Sequence, residues 1–361
     1  MSSVPSDNRL YSAPPPDSAG WQALPPEYAI PEHAPSLEEA QQYCARLAHS
    51  HYENFSVVTW FLPKHLHQHF YNVYAYCRIS DDLGDEVGNP QQSLELLDAW
   101  EAELNATYMS LVEPPLRDVR KDIETLEREA HEKSGTRAEG SGVSPRHPVF
   151  IALRETIRAL DIPREPFANL LTAFRQDQTT TRYPTFEDVL GYCVNSANPV
   201  GRLVLYVCGY RDAERQQLSD YTCTALQLAN FWQDVAVDYG KGRIYLPVES
   251  LAKFGVNESD IAERRVTQQF REMMKFEVAR ARDWFQRGLP LAGKVDKHLA
   301  IDIELFSRGG LEILNAIERH NYDVLTHRPA ISKSRKLWLV GRAALMSVPQ
   351  KFTTETRREP K

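Results

Sequence analysis

The sequence predicts an all-α, single-domain protein, a helical bundle around a central cavity. Apolar residues recur at helical spacing along most of the chain, whereas the apolar–polar alternation of β-strands is scarce. In addition, two predicted helices carry narrow acidic stripes between apolar flanks. A solvent-facing helix has a wider polar arc, so these stripes indicate helices that face an internal site.

The predicted helices have recognisable boundaries. Pro63 can open a helix, and Gly88-Asn89-Pro90 ends the helix that carries the first acidic stripe. Helical periodicity continues over residues 94–104, 149–160, 167–174, 186–192, 270–289 and 301–317.

Low-complexity segments set the limits of the predicted domain, which spans residues 36–345. Residues 1–35 are rich in Pro and Ser and predict a disordered tail. Residues 132–147 predict a surface loop inside the domain, and residues 346–361 a polar C-terminal tail.

Composition excludes several classes of protein. The net charge of −7 and the absence of a dominant basic patch disfavour nucleic-acid binding. Five cysteines without CxxC spacing predict neither a disulfide framework nor a zinc site, and they suit a reducing cytoplasm. No apolar run reaches the ~20 residues that span a bilayer. No GxGxxG follows a strand, so a dinucleotide fold is not predicted.

Each acidic stripe contains a pair of aspartates at the same spacing. Asp81 and Asp85 lie four residues apart, as do Asp234 and Asp238, so each pair occupies one helix face, one turn apart. The stripes also carry Tyr74, Arg78, Gln227 and Asn230.

Facing carboxylate pairs hold hard divalent cations, and bound Mg²⁺ takes further ligands from water and substrate phosphates. We therefore predict a magnesium–diphosphate site with the ligands Asp81, Asp85, Asn230, Asp234 and Asp238. Asp82 is a further candidate for the metal's surroundings. For either pair alone, the alternative is a run of charged residues that faces solvent. Two such pairs together favour a metal site.

The segments around both pairs resemble the squalene and phytoene synthase family. Residues 74–85 are similar to its first aspartate-rich signature, and residues 227–238 with 242–247 to its second. Residues 192–201 resemble its segment around a helix break, and the similarity runs from about residue 43 to about residue 335. The resemblance implies the isoprenoid synthase fold.

The resemblance also implies a chemistry, the ionisation of a prenyl diphosphate. Two or three Mg²⁺ ions would act as Lewis acids that draw off pyrophosphate. The implied catalytic residues are Asp81, Asp85, Asp234, Asp238 and Tyr183, the last of which resembles a family tyrosine that lines the site. The implied diphosphate-binding residues are Arg78, Asn230, Gln227, Arg243 and Asn54. The structural alternative is that Arg78 only neutralises Asp81 and that Arg243 is a surface cation.

The carbocation would lie deeper, against aromatic faces whose quadrupoles attract positive charge. The candidate residues of this cation and tail pocket are Phe55, Tyr74, Ala197, Gly201 and Phe231, with Trp232 as a further aromatic candidate. Aromatic residues on helices are more often plain core, which is the alternative for each ring.

Several positions depart from the usual family pattern. Gln233 stands where an arginine is usual, residues 52–55 where serines are usual, and Asn198 in a helix break that more often contains glycine. A tyrosine that is typical of the dehydrosqualene branch is replaced near residues 309–310. The basic patch that usually follows this tyrosine is reduced to residues 327–328. These departures weaken the case for condensation of two diphosphates.

The same features resemble the hydroxysqualene synthases of the bacterial hopanoid route. That branch ionises presqualene diphosphate and lets water capture the rearranged cation, and it implies magnesium but no NADPH. The alternatives are a head-to-head prenyl synthase making presqualene diphosphate, squalene or phytoene, and a non-catalytic assembly factor of the same fold.

The expected partners follow from a substrate with a long apolar tail. We expect a prenyl diphosphate, handover to other enzymes of squalene synthesis and no nucleic acid. Residues 336–342, apolar between cations, suit peripheral contact with the inner membrane or packing of a last helix. We expect the protein in the cytoplasm.

Overall fold

The computed structural model describes residues 28–50, 62–111 and 144–331, and all regular secondary structure within these ranges is helical. Apart from the helices there is one isolated bridge, between Arg182 and Ile244. The predicted all-α class is confirmed. In chain order the α-helices are α1 (Leu37–Ser50), α2 (His67–Asp85), α3 (Pro90–Met109), α4 (Pro148–Leu160), α5 (Glu165–Gln176), α6 (Phe186–Ser196), α7 (Asn198–Val207), α8 (Ala213–Gln233), α9 (Val235–Gly240), α10 (Val248–Phe254), α11 (Glu258–Ala262), α12 (Gln268–Gly288) and α13 (Lys297–Arg319).

The helix that carries the first acidic pair, α2, ends where the sequence predicts. Gly88 adopts a φ of +72°, a conformation that glycine reaches without steric cost. The Asn89 side chain then caps α3 by accepting from the Gln92 N–H, with Pro90 in the first turn. At the other end, Pro63 precedes a short 3₁₀ turn (Lys64–Leu66) that leads into α2.

Two separate hydrophobic cores support the two acidic motifs. One core gathers buried residues of α1 to α5 around Tyr76 and Trp100, and it holds α2. Tyr76 donates to the Phe167 carbonyl at 2.9 Å, and Trp100 donates to Ser80 Oγ at 2.9 Å, which fixes α2 in this half. The other core gathers residues of α6, α8, α12 and α13 around Trp232 and Phe285, and it holds the second motif.

The predicted helix break lies at Ala197, between α6 and α7. Asn198 accepts a hydrogen bond from Thr224 at 2.9 Å, which ties the break to α8. One turn further on, a Cβ at Gly201 would lie 2.3 Å from Ser219 Oγ and 2.4 Å from Cys223 Sγ. The glycine therefore allows α7 to pack closely on α8.

The helix of the second acidic pair is interrupted at Asp234, between α8 and α9. Asp234 leaves helical geometry, with φ −105° and ψ 14°. Its N–H still donates to the Asn230 carbonyl at 2.9 Å, and its carbonyl still accepts from the Asp238 N–H at 2.8 Å. The one-turn spacing of the two carboxylates is thus kept across the break.

Some predictions fall on residues outside the described part of the chain. They concern Asn54, Phe55, residues 1–27 of the tail, residues 132–143 of the loop and everything from residue 332 onward. His147, the last residue of the predicted surface loop, is fully buried. All five cysteines are described and none forms a disulfide. None of the described helices has the length and apolar character required to cross a membrane.

Candidate functional site

The two acidic motifs meet through the ion pair of Asp85 with Arg243. Arg243 Nη1 donates to Asp85 Oδ1 at 2.9 Å, and Lys241 Nζ lies 3.5 Å from Asp85 Oδ2. Gly242, with φ +83°, turns the chain after α9 so that the Arg243 N–H donates to the Asp238 carbonyl at 2.9 Å. This turn directs Arg243 from the second motif to the end of α2, and it makes one site of both motifs.

Asp234 is the most heavily hydrogen-bonded aspartate of the second motif. It is 9% exposed and accepts from Arg328 Nε at 2.5 Å and Arg328 Nη2 at 3.0 Å, one bond to each carboxylate oxygen. Asn230 Nδ2 donates to the same group at 3.0 Å. The two bonds from Arg328 form a bidentate pair, which is stronger and more directional than a single contact.

The other aspartate of each pair, Asp81 or Asp238, forms no ion pair with the described residues. In the described part of the chain, neither carboxylate accepts a hydrogen bond or forms an ion pair. Burial, followed by repulsion from Asp85, raises the pKa of Asp81 to about 7. Burial, followed by repulsion from Asp234, raises the pKa of Asp238 to about 7. Asp81 is nevertheless exposed to solvent at the surface of α2.

The donor set suits a hard cation, although its carboxylates are not yet gathered around one point. No group of three or more His, Cys, Asp or Glu within the described ranges lies close enough to hold a metal ion. Asp85 and Asp234 are turned toward arginines instead. Within the described ranges Asp81 and Asp238 form no ion pair, and a divalent cation between the motifs would offset the repulsion that contributes to their raised pKa values.

Arg78 forms its ion pair with Asp82, although its charge also acts on Asp81 and lowers the pKa of that carboxyl against the larger effect of burial. Its Nη2 lies 2.5 Å from Asp82 Oδ1, and its Nε donates to Asp82 Oδ2 at 3.1 Å. Tyr28 Oη donates to the same Oδ2 at 2.6 Å. Asp82 is buried, and its Oδ2 accepts both hydrogen bonds, so it anchors Arg78 beside the acidic stripe.

A cluster of four buried rings, Tyr183, Tyr192, Phe231 and Tyr245, lies beside the acidic motifs. Phe231 and Tyr245 stack at 3.8 Å between centroids and 7° between planes. Tyr183 lies 5.6 Å from both Tyr192 and Tyr245. Burial raises the pKa of the Tyr183 phenol, so this hydroxyl stays neutral. Two of the sequence-predicted residues, Tyr183 and Phe231, thus belong to one aromatic group.

Asp177, which is not among the residues predicted from the sequence, links this cluster to the acidic motifs. It follows α5 and accepts from Tyr192 Oη at 2.8 Å, with Tyr245 Oη 3.5 Å away. Burial raises the pKa of Asp177 to about 6, against the opposing effect of the Arg243 charge. Tyr192 and Tyr245 lie in the motif segments and could have been proposed, whereas Asp177 is a lone aspartate without a pattern.

The other predicted residues described by the structure lie on α2, on α8 and at the helix break between α6 and α7. Tyr74 is half-buried on α2 one turn before Arg78, and Gln227 is half-buried on α8. Ala197 is buried at the helix break. Trp232 is fully buried within the second core, which favours the plain-core alternative for this ring.

Comparison with known proteins identifies the family. The model of the family described as squalene/phytoene synthase matches residues 48–335. The chain belongs to the squalene/phytoene synthase family. Its members use prenyl diphosphates and share the isoprenoid synthase fold, which confirms the fold expected from the resemblance.

Individual relatives cover most of the chain. A 15-cis-phytoene synthase from Synechococcus elongatus is 28% identical over 318 residues, which span 84% of this chain and 91% of that protein. Among solved structures, the squalene synthase HpnC from Alicyclobacillus acidocaldarius is 42% identical, with a TM-score of 0.67 over 80% of this chain and 96% of that chain. A dehydrosqualene synthase is 23% identical at a TM-score of 0.67, over 86% of this chain and 96% of that chain, and supports the fold alone.

Proposed function

We propose that the protein is a magnesium-dependent hydroxysqualene synthase. It would ionise presqualene diphosphate, let water capture the rearranged cation and release diphosphate, without NADPH, in squalene and hopanoid biosynthesis. The observation that carries the proposal is the contact of Asp85 with Arg243, which joins both acidic motifs. Carboxylates on two helices can hold cations against one diphosphate only if the two helices bring them to the same place.

Mg²⁺, when bound, supplies the Lewis acid for departure of diphosphate. The residues to hold it are Asp81, Asp85, Asn230, Asp234 and Asp238. Arg243 is mostly buried beside Asp85, and its guanidinium matches the geometry of a phosphate group. Arg78, fixed by Asp82, is a second cation on the α2 stripe.

The ring cluster supports the second half of the reaction. Aromatic faces attract a cation without reacting with it, and buried rings exclude most of the water. Asp177 fixes the hydroxyl of Tyr192 and so limits the movement of this ring. Capture by a single water requires such an enclosed and ordered surface.

Two observations favour the hydroxysqualene branch over its relatives. The identity to the squalene synthase HpnC is 42%, compared with 28% to the phytoene synthase. Gln233, in place of the usual arginine, is buried and donates to the Pro329 carbonyl, so it adds no cation for a second diphosphate. The alternative is head-to-head condensation of two prenyl diphosphates, as the names of the phytoene synthases suggest.

The test is product analysis by mass spectrometry. Purified full-length protein is incubated with presqualene diphosphate and Mg²⁺, without NADPH, and hydroxysqualene is the expected product. Parallel reactions contain only farnesyl diphosphate or only geranylgeranyl diphosphate. Turnover of those substrates with no conversion of presqualene diphosphate would establish the condensation alternative. No turnover of any substrate would favour the non-catalytic alternative, which the intact aspartate pairs otherwise oppose.

Location and handover are part of the same proposal. A prenyl diphosphate has a long apolar tail, so loading from a membrane surface and transfer to the next enzyme of squalene synthesis are expected. We propose a cytoplasmic protein in peripheral contact with the inner membrane. Co-sedimentation with anionic lipid vesicles tests this contact.

A further inference from the structure

The segment after α13 returns the chain to the second acidic motif. We call this segment, residues 320–331, the C-terminal strap. Asn321 and Tyr322, at φ +51° and +59°, turn the chain out of α13. Val324 and Leu325 are each 1% exposed and belong to the same core as Trp232. The first half of the strap is therefore fixed to the bundle by apolar burial.

The second half of the strap is attached at two adjacent residues. Gln233 Nε2 donates to the Pro329 carbonyl, and Arg328 forms the bidentate pair with Asp234. The Gln233 side chain is 7% exposed and Pro329 is buried, whereas more than half of the Arg328 side chain is exposed. A buried amide thus holds the backbone next to an exposed arginine that would otherwise have many conformations.

The ion pair with Arg328 involves both carboxylate oxygens of Asp234, the atoms through which this residue would bind a metal. Both oxygens of Asp234 accept a bond from Arg328, and the carboxylate is largely buried. A carboxylate paired in this way already has its counter-charge in place. A divalent cation that binds Asp234 from this side therefore competes with the guanidinium for the carboxylate.

We propose that Gln233 is a positioning residue that, by holding Pro329, directs Arg328 to Asp234, and that Arg328 is a built-in counter-ion that competes with a divalent cation for this carboxylate. This inference rests on the proposed metal site. It gives the uncommon glutamine a specific role, because an amide can donate to a carbonyl without adding a second cation beside Arg328. Arg328 thereby lowers the affinity for metal in the absence of substrate.

The test is titration of the metal-free full-length protein with Mn²⁺ at pH 8, followed by electron paramagnetic resonance, without substrate. Arg328→Gln is expected to bind Mn²⁺ about fivefold more tightly, as the loss of a partly exposed ion pair predicts. Gln233→Met keeps the length of the side chain and removes the donor, and it is expected to tighten binding by a smaller factor. The double variant is expected to match Arg328→Gln alone, because both changes remove one interaction.

Gln68→Met is the matched control. Gln68 also donates its amide to a backbone carbonyl, that of Gln41, at 3.1 Å, but it lies at the start of α2 in the other core. It is expected to leave Mn²⁺ affinity unchanged. Loss of structure would weaken metal binding, so tighter binding is a result that a purely structural role of Gln233 does not produce. If Gln233→Met does not fold, Gln233→Asn, whose amide is too short to reach Pro329, replaces it.

Three results would overturn the inference. Unchanged Mn²⁺ affinity in Gln233→Met would remove the positioning role, and so would fully additive effects in the double variant. Unchanged affinity in Arg328→Gln would remove the counter-ion role while leaving the metal site intact. Absence of Mn²⁺ binding in the wild type and in all variants would instead contradict the proposed metal site itself.

Discussion

The four aspartates of the two acidic pairs differ because, in the described part of the chain, only Asp85 and Asp234 form ion pairs. Asp85 and Asp234 form ion pairs with arginines, whereas Asp81 and Asp238 form none within the described ranges, and burial raises the pKa of each of the latter to about 7. A carboxyl with this pKa is about half protonated at neutral pH. Cation binding at the site is therefore expected to release protons.

Asp238→Asn is expected to stabilise the metal-free protein and to inactivate it. A carboxyl whose pKa is raised in the folded state stabilises that state below its unfolded pKa of about 4, and this contribution is lost as pH rises to about 7. At pH 8 the variant should gain about 1–3 kcal/mol in the free energy of unfolding over the wild type, and little at pH 4. Turnover should fall at least about 100-fold.

Urea unfolding of the metal-free variant and wild type at pH 4, 6 and 8 measures this difference. Lower stability of the variant at pH 8 would show that Asp238 is a structural group. Asp85→Asn is the companion variant, and its loss of turnover should likewise exceed any loss of stability.

Trp232→Ala is expected to cost about 3–5 kcal/mol in the free energy of unfolding, because the ring is fully buried in the second core. Phe306→Ala on α13, at 40% exposure, is the matched truncation and should cost about 1 kcal/mol or less. Chemical denaturation measures both. A Trp232→Ala protein of normal stability but low turnover would place this ring at the substrate instead.

At the scale of helices, regular periodicity was enough to predict many elements. The predicted segments 149–160 and 301–317 correspond to α4 (Pro148–Leu160) and α13 (Lys297–Arg319), because one apolar face of each helix packs on a core. The short helices α9 to α11 have five to seven residues each, too few for a periodic pattern. The interruption at Asp234 was also not predicted, since no proline or glycine marks it.

Two glycines on consecutive helices should respond oppositely to alanine. Gly201→Ala on α7 places a methyl group against Ser219 and Cys223, which should cost about 1–3 kcal/mol in the free energy of unfolding. Gly191→Ala on α6 meets nothing within 4 Å and should stabilise by about 0.5–1 kcal/mol, because alanine favours the helix. Thermal unfolding of both variants is the measurement, and equal effects would show that α7 and α8 are not closely packed there.

At the scale of the whole molecule, the site joins two cores that pack separately. The sequence predicted the aspartates on each helix, since a motif is local. It could not predict that Arg328 would reach Asp234, because this contact joins distant parts of the chain, or that Asp177 would meet Tyr192, because that contact depends on how α5 and α6 pack. Asp82 illustrates the same limit: it lies within the motif, but its burial against Tyr28 and Arg78 depends on tertiary packing.

Magnesium with pyrophosphate is expected to raise the melting temperature by a few degrees. A ligand that binds only the folded state stabilises it by about 2.7 kcal/mol at one hundred times its dissociation constant. Because the site spans both cores, the shift should need both components, and Mg²⁺ alone or pyrophosphate alone should give less. Scanning calorimetry measures it. Asp85→Asn and Asp238→Asn are expected to abolish the shift, and its persistence in both would place the ligand elsewhere.

The hydrogen bond from Tyr28 to Asp82 has a practical consequence for shortened versions of this protein. Tyr28 lies before α1, yet its phenol shares a buried carboxylate with Arg78. A truncation that begins at Leu37 would keep every described helix but remove this hydroxyl, and one oxygen of Asp82 would lose a donor. Deletions of the N-terminal region should therefore stop before Tyr28.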